Sequence, residues 1–351
     1  MGGRSRAFTV TRCISGRAAC AIAAVLLAVA ARPASSAGVE DFYKGKTVPL
    51  IIGYSVGGGY DAYGRLVARH LGKHIPGNPS VVPQNMSGAG SLKAANYLYS
   101  VAPKDGSVIG TFSRSQGIAP LIDKAEFDST KFTWLGSVTD EVSLCVTRHD
   151  APAKTFSELL VTPATFGGEG AGSDPNIFAL LYRNVFGAKI KIVTGYPGTN
   201  EIQLAAERGE VDGLCGLSWS TLKSRYPHWL KEKKANILVQ AGIKKQPELA
   251  DVPSASELAK EADQRQILKL LLIGQAMARP FAAPPGIPSD RRAALIAAFE
   301  RTTADPEFLA EAERLNVEVN PVRADRLEAL LAEAYAMPKD VIAKAAKAMS
   351  D

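Results

Sequence analysis

The sequence predicts an α/β protein of two domains, and three observations carry that reading. Short apolar runs end in glycine-rich turns that feed helices, the alternation of a largely parallel layer. The pattern restarts after Arg148-His149-Asp150-Ala151-Pro152, so that four such turns fall two to each half. Residues 38–351 are long enough for two ordinary domains.

The residues before that point read as a targeting segment. Arg4, Arg6, Arg12 and Arg17 make a basic start, Ala18 to Ala31 is an apolar run too short to span a membrane comfortably, and Ser35-Ser36-Ala37 offers a cleavage point after Ala37. A signal peptide over 1–37 and export to the periplasm are therefore expected. Residues 1–37 carry five Arg and no acid, so removing them takes the net charge from +6 to about +1. No basic block suited to nucleic acid remains. Cys13 and Cys20 leave with the leader, while Cys145 and Cys215 stay. In an oxidising compartment these two can pair; the alternative is two small buried side chains in strands.

The first unit runs from Val48 to Leu71. Val48 to Ile52 is a strand, Gly57-Gly58-Gly59 a turn, and Tyr63, Leu66, Val67 and Leu71 share one helical face. Free amides and the positive dipole end meet at such a helix start, which attracts anions. Asp61 suits the first helical turn. The second unit is Ser80 to Pro83, then Gln84 to Gly90, then a helix face of Leu92, Ala95 and Tyr99. Ser107–Phe112, Trp134–Val138 and Val142–Thr147 read as further strands. In the second half, Thr165 to Ser173 is a strand end and glycine loop, Asp174-Pro175 opens a helix, and Lys189 to Thr194 is a strand. Gly195 to Thr199 is the fourth turn, with a helix to Arg208 and a strand from Val211 to Leu217. Asp305-Pro306 and Pro338 mark later helix starts.

Three enzyme motifs have partial matches in or just before the first unit. Gly57-x-Gly59-x-x-Ala62 fits a dinucleotide fingerprint, yet no Asp or Glu stands between Asp61 and Asp105 to hold a ribose. Gly53-Tyr54-Ser55-Val56-Gly57 fits a nucleophile elbow, but the histidines are His70, His74, His149 and His228, and none follows Trp229. A secreted hydrolase using Ser55 is kept as the alternative function. Gly45-Lys46-Thr47 precedes its strand and so cannot act as a phosphate loop. His70 and His74 are spaced for a metal, with no third ligand apparent, and the simpler reading is a solvated helix end. No catalytic residue, metal or cofactor is expected. Trp219 and Tyr196 are candidates to wall a ligand, with core packing the other reading. Lys231 to Lys234 reads as an exposed face.

Taken together, Lys46 to Asp61, Gln84 to Ser91, Gly168 to Ser173, Tyr196-Pro197-Gly198, Gly209 to Asp212 and Phe281 to Pro288 resemble the periplasmic solute receptors of tripartite tricarboxylate transporters, the Bug or TctC-type proteins. The likeness covers nearly all of 40–345. It implies a two-domain periplasmic binding protein fold of type II-like form, with one domain from 38–143 plus 276–351 and the other from 144–275. It also implies a monomer that binds a small organic carboxylate in the cleft between them, without chemistry. The implied partners are the transporter's membrane subunits, or a sensor. By the same resemblance, backbone amides of Tyr54, Ser55, Val56, Gly57, Gly58 and Gly59 grip the carboxylate together with Ser87, Gly88, Ala89 and Gly90. From the second domain it adds Gly170, Ala171, Gly172 and Ser173, with Tyr196, Gly198 and Thr199. Ser55-Val56, Tyr60 and Ser87 depart from residues common in the family.

Overall fold

The structure is a computed structural model that describes residues 1–3, 35–123 and 125–350. The targeting segment expected over 1–37, with Cys13 and Cys20, lies for the most part outside the described residues. With short helices left unnumbered, the first half of the chain runs α1 Ser35–Tyr43, β1 Thr47–Ile52, α2 Gly59–Leu71, β2 Ser80–Asn85, β3 Ile109–Thr111, β4 Thr133–Ser137, β5 Ser143–Arg148 and β6 Ala164–Gly167. There follow α3 Asp174–Asn184, β7 Ile190–Val193, α4 Thr199–Glu207, β8 Gly213–Ser218, α5 Trp219–Arg225, β9 Ala235–Ala241 and α6 Ala262–Ala276. The chain closes with β10 Pro280–Ala283, α7 Ser289–Ala304, α8 Pro306–Arg314, β11 Val322–Arg323, α9 Ala324–Tyr335 and α10 Lys339–Ala348. No described helix is long and apolar enough to cross a membrane.

Two sheets result, in the orders β11-β4-β10-β3-β1-β2 and β7-β6-β8-β5-β9. The two-domain α/β fold is borne out. In the first sheet β1 to β4 point one way, and β10 and β11 the other. In the second, only β5 runs against its neighbours. Of the reversed strands, β5 and β10 are reached from the other half by a short passage, through residues 138–142 and 277–279. A helical crossover returns a strand parallel, whereas a direct passage need not. Within β1, pairing with β3 starts at Leu50, one residue past Pro49, which has no N–H to contribute.

The two passages lie side by side. Val138 N–H donates to Arg279 O at 3.1 Å, Ala278 N–H to Thr139 O at 3.2 Å, and Glu141 N–H to Gln275 O at 2.9 Å. Two adjacent short connections of this kind allow hinge rotation while keeping the halves aligned. Each sheet has its own core. Leu50, Ile52, Leu66, Phe281 and Phe299 pack on one side, and Leu144, Ile202, Leu217 and Trp229 on the other. A third cluster runs through both halves, from Phe112 and Trp134 to Phe166 and Phe178. Helix α6, for which the sequence offered no reading, packs on α9 and α10 and so joins the halves away from the hinge.

Cys145 in β5 and Cys215 in β8 are joined by a disulfide. It closes a loop of 70 residues, which a chain-entropy model values at about 4 kcal/mol.

Candidate functional site: a closed cleft between the sheets

The four glycine turns meet in pairs across the cleft. The first turn faces the fourth. Ser55 Oγ donates to Glu201 Oε2 at 2.9 Å, and Arg225 Nε donates to Gly57 O at 2.8 Å. A side chain at Gly198 would strike Ser55, and one at Gly59 would strike Thr221. Asp61 folds back on its own turn, accepting from Gly57 N–H at 3.0 Å, Arg65 Nε at 2.9 Å and Asn85 Nδ2 at 2.9 Å. Burial alone would raise the Asp61 pKa; these donors hold it below the usual range. Asp61 is thus spent on shaping the helix start.

The second turn faces the third. Gly90 has φ +59°, and a Cβ there would lie 2.6 Å from Ser173 Cβ, so backbone contact requires glycine at this point. Gln116 Nε2 donates to Gly90 O at 3.1 Å and to Gly172 O at 3.2 Å, tying the two turns together. Ser173 is fully buried and caps α3, accepting from Asn176 N–H at 3.4 Å. Gly170 N–H is taken by Asn176 Oδ1 at 2.9 Å.

A small cavity of about 20 Å³ lies between the first turn and the second sheet. Tyr54, Gly59 and Tyr60 line it from one side, Glu169, Asp174, Thr199, Ser218 and Thr221 from the other, and Arg279 stands at the hinge. Of the residues expected from sequence, Tyr54, Gly59 and Thr199 therefore face this cavity. Val56 points outward and is 61% exposed. Gly170, Ala171 and Gly172 border a separate depression with Ile177 and Leu180. Ser87, Gly88 and Ala89 lead into the Gly90 contact. Gly58 precedes α2, and its own Cβ position is open. Tyr196 and Trp219 pack in the second core, where the Trp219 ring lies 5.1 Å from the Lys223 ammonium.

Sequence reading missed the charges. Arg114 is 1% exposed and crosses the cleft, pairing with Asp174 and donating to Ser218 Oγ at 3.1 Å and Ser143 Oγ at 2.6 Å. Asp174 is engaged at both oxygens, by Arg114 and by the Ser115 hydroxyl. The Arg279 guanidinium lies 4.6 Å from the Tyr60 ring centre and 5.0 Å from that of Tyr63, in cation–π range. Its Nη2 donates to Thr221 Oγ1 at 2.9 Å and stands 3.9 Å from Glu141 Oε2, while its Nε has no partner. Glu141 accepts from the Ser220 hydroxyl and from Val142 N–H at 3.0 Å, and burial raises its pKa.

Glu169 is 4% exposed. Its Oε1 accepts from Thr199 Oγ1 at 2.9 Å. Burial pushes its pKa up to about 8, with Asp174 and Glu201 adding to the rise and the Thr199 and Tyr54 hydroxyls opposing it. One signal could have exposed Arg114, Glu169 and Arg279: each is a lone charge among small or apolar neighbours, as in Ser113-Arg114-Ser115 or Met277-Ala278-Arg279-Pro280.

The histidines gain partners that the sequence did not show. His70 Nε2 lies 2.6 Å from Glu311, and His74 Nε2 2.7 Å from Asp305. Among the described residues one group, His70, Asp305 and Glu307, brings three possible ligand atoms within 4.8 Å of one another. The Lys73 ammonium already sits on both carboxylates, at 2.7 Å from Asp305 and 2.5 Å from Glu307.

Two sheets joined by paired passages, with a polar cavity where their turns meet, make the two-domain α/β fold seen in periplasmic binding proteins. Comparison with known proteins agrees, and the resemblance to Bug and TctC-type receptors is borne out. The solved structure of the periplasmic binding protein BugD superposes with a TM-score of 0.69 at 20% identity, over 86% of this chain and 98% of that one. MatC from Rhodopseudomonas palustris, solved with bound malate, gives 0.67 at 23% identity, over 85% and 99%. In sequence, a UPF0065 protein from the TAR-I ttuE-ttuC' intergenic region of Agrobacterium vitis is 28% identical over 236 residues. That match spans 63% of this chain and 64% of the relative, just under two thirds of its length. No family model matches the chain.

Proposed function

We propose that this chain is an exported solute receptor that captures a small organic carboxylate between its two sheets and presents it to the membrane subunits of a tripartite tricarboxylate-type transporter. The observation that carries this reading is the setting of Arg279. A Cβ at Gly59, the first residue of α2, would lie 3.1 Å from Arg279 Nη2, so a buried guanidinium stands against a helix N-terminus at the cavity wall. Both features favour an anion. The malate bound to MatC, a protein of the same fold, supports a carboxylate of this size. Residues 38–143 with 276–351 form one jaw and 144–275 the other, closing by rotation at the paired passages. Amides of the Tyr54 to Gly59 turn hold the anion, apart from that of Gly57, which donates to Asp61. Against the hydrolase reading, the one described side-chain partner of the Ser55 hydroxyl is the Glu201 carboxylate and not a histidine.

A thermal-shift panel tests this. A ligand at 100 times its Kd that binds only the native state adds about 2.7 kcal/mol of stability. At least one organic acid should raise the melting temperature by several degrees with no turnover. Stabilisation by neutral sugars alone would overturn the proposal.

A further inference from the structure

Helix α5 leaves the second sheet after Ser218 and ends against the other half of the molecule. Thr221 lines the cavity, but the residues just beyond it make bonds that lie outside. Lys223 Nζ donates to Glu318 Oε1 at 2.5 Å and to Glu248 Oε1 at 3.0 Å. Asn316 Nδ2 donates to Lys223 O at 3.2 Å, and Arg225 Nε donates to Gly57 O at 2.8 Å. Asn316 and Glu318 lead into β11 of the first sheet, and Gly57 follows β1 of the same sheet. Glu248, in contrast, follows β9 of the second. Glu248 and the Trp219 ring, 5.1 Å from the ammonium, therefore hold Lys223 in place from its own side. A side chain held in this way loses little freedom on meeting Glu318. The Lys223 side chain is only 21% exposed, so solvent ions screen it less than a free surface charge.

We infer that α5 is a clasp that holds the two halves closed whether or not the cavity is filled, with the Lys223–Glu318 pair as its main fastening and the bonds of Asn316 and Arg225 beside it. This rests on the two-jaw receptor reading above. Open and closed forms of a hinged protein differ little in free energy, so bonds made in one form alone shift the balance between them. The clasp bonds join residues outside the cavity lining, and opening of the jaws breaks them.

The experiment uses the full chain without ligand, so its outcome is independent of whether a carboxylate binds. Ser218 lines the cavity and is 5% exposed. Ser218→Cys places there a thiol that a soluble thiol reagent reaches from the open form. In this background the folded chain should label more slowly than the chain unfolded in denaturant. Lys223→Met should speed labelling about threefold to fivefold, as for the loss of one partly exposed ion pair. Glu318→Gln should do the same, and the two together should add little, because both remove one bond. Higher ionic strength should speed labelling in the parent and much less in Lys223→Met. Lys245→Met is the control: it removes an ion pair within one half, to Glu257 at 3.1 Å, and should leave the rate as it was. Should one clasp variant melt far below the parent, the other, which removes the same bond from the opposite side, gives the reading. Rates unchanged in Lys223→Met and Glu318→Gln, or raised as much in Lys245→Met, overturn the inference. A folded parent that labels as fast as the unfolded chain overturns it too, since the halves would then stand open without ligand. Each of these results leaves the receptor reading to its own thermal-shift test.

Discussion

The two meeting places of the cleft are built from different materials. Where the second turn meets the third, the contact is backbone against backbone: Gly90 lies against Ser173, and one amide, that of Gln116, spans both. Where the first turn meets the fourth, charged and hydroxyl side chains do the meeting, among them Ser55 with Glu201, Glu169 with Thr199, and Arg279 with Thr221. A backbone contact has one fitting distance and carries no chemical selectivity. A set of partly unpartnered side chains selects by charge. Under the receptor reading proposed above, the first place sets how far the jaws close, and the second sets what they close on.

The largest effect should come from the charged side. Arg279→Met removes the cation facing the start of α2 and leaves Glu141 buried with a weaker partner. Carboxylate affinity should fall by about a hundredfold or more, and stability by about 3 kcal/mol, the cost of breaking a buried pair. Isothermal calorimetry and a denaturant titration read the two separately. Retained affinity would move the anion site to Arg114.

Gly90→Val comes next and tests the backbone side. It forces a positive φ on a branched residue and drives its Cβ into Ser173. Closure should be impaired for every ligand alike, with affinity down about tenfold and no change in ligand preference. The control is Gly195→Ala, also at positive φ (+107°) but with nothing within 4 Å. It should cost about 1 kcal/mol of stability and leave affinity nearly unchanged. If Gly90→Val alters preference as well as affinity, the division of labour between the two places is wrong.

Glu169 offers a pH test. Its carboxyl, pushed up to about 8 in the folded chain from the ordinary 4.5, binds a proton more tightly when folded. The folded state therefore holds more protons between those values, and stability must fall as pH rises across that window. Glu169→Gln removes this slope. The variant should melt higher than the parent at pH 8 and by a smaller margin at pH 5, with Asp174, Glu201, Tyr54 and Thr199 as the groups facing the carboxyl. A parallel pair of melting curves across that range would contradict the raised pKa.

These contrasts also explain what the sequence could and could not disclose. Strand, turn and helix units were legible because each is local. Val48 to Leu71 folds as read, and so do the helix starts at Pro306 and after Pro338. Pairing of Cys145 with Cys215 stayed open because strand neighbours are decided by the whole sheet. The charged cavity was illegible for a similar reason. Arg114, Glu141, Glu169 and Arg279 come from four separate places in the chain, and only the folding of both halves brings them into or beside the cleft. Tyr196 and Trp219 were ambiguous because an aromatic side chain serves a core as readily as a binding wall.

The smallest expected effect belongs to Ser55, and it sharpens the comparison at its edge. Ser55 is half-buried, and its one bond across the cleft, to Glu201, sits at the rim. A partly solvated hydrogen bond of this kind contributes about 1 kcal/mol or less, because water replaces it in the open form. Ser55→Ala should therefore weaken binding by no more than about fivefold, leave ligand preference intact and leave any ester probe untouched. Abolished hydrolysis of an ester that the parent turns over would instead make Ser55 a nucleophile. Glu201 would then have to act as its base, since it is the one side chain with which the Ser55 hydroxyl forms a described hydrogen bond.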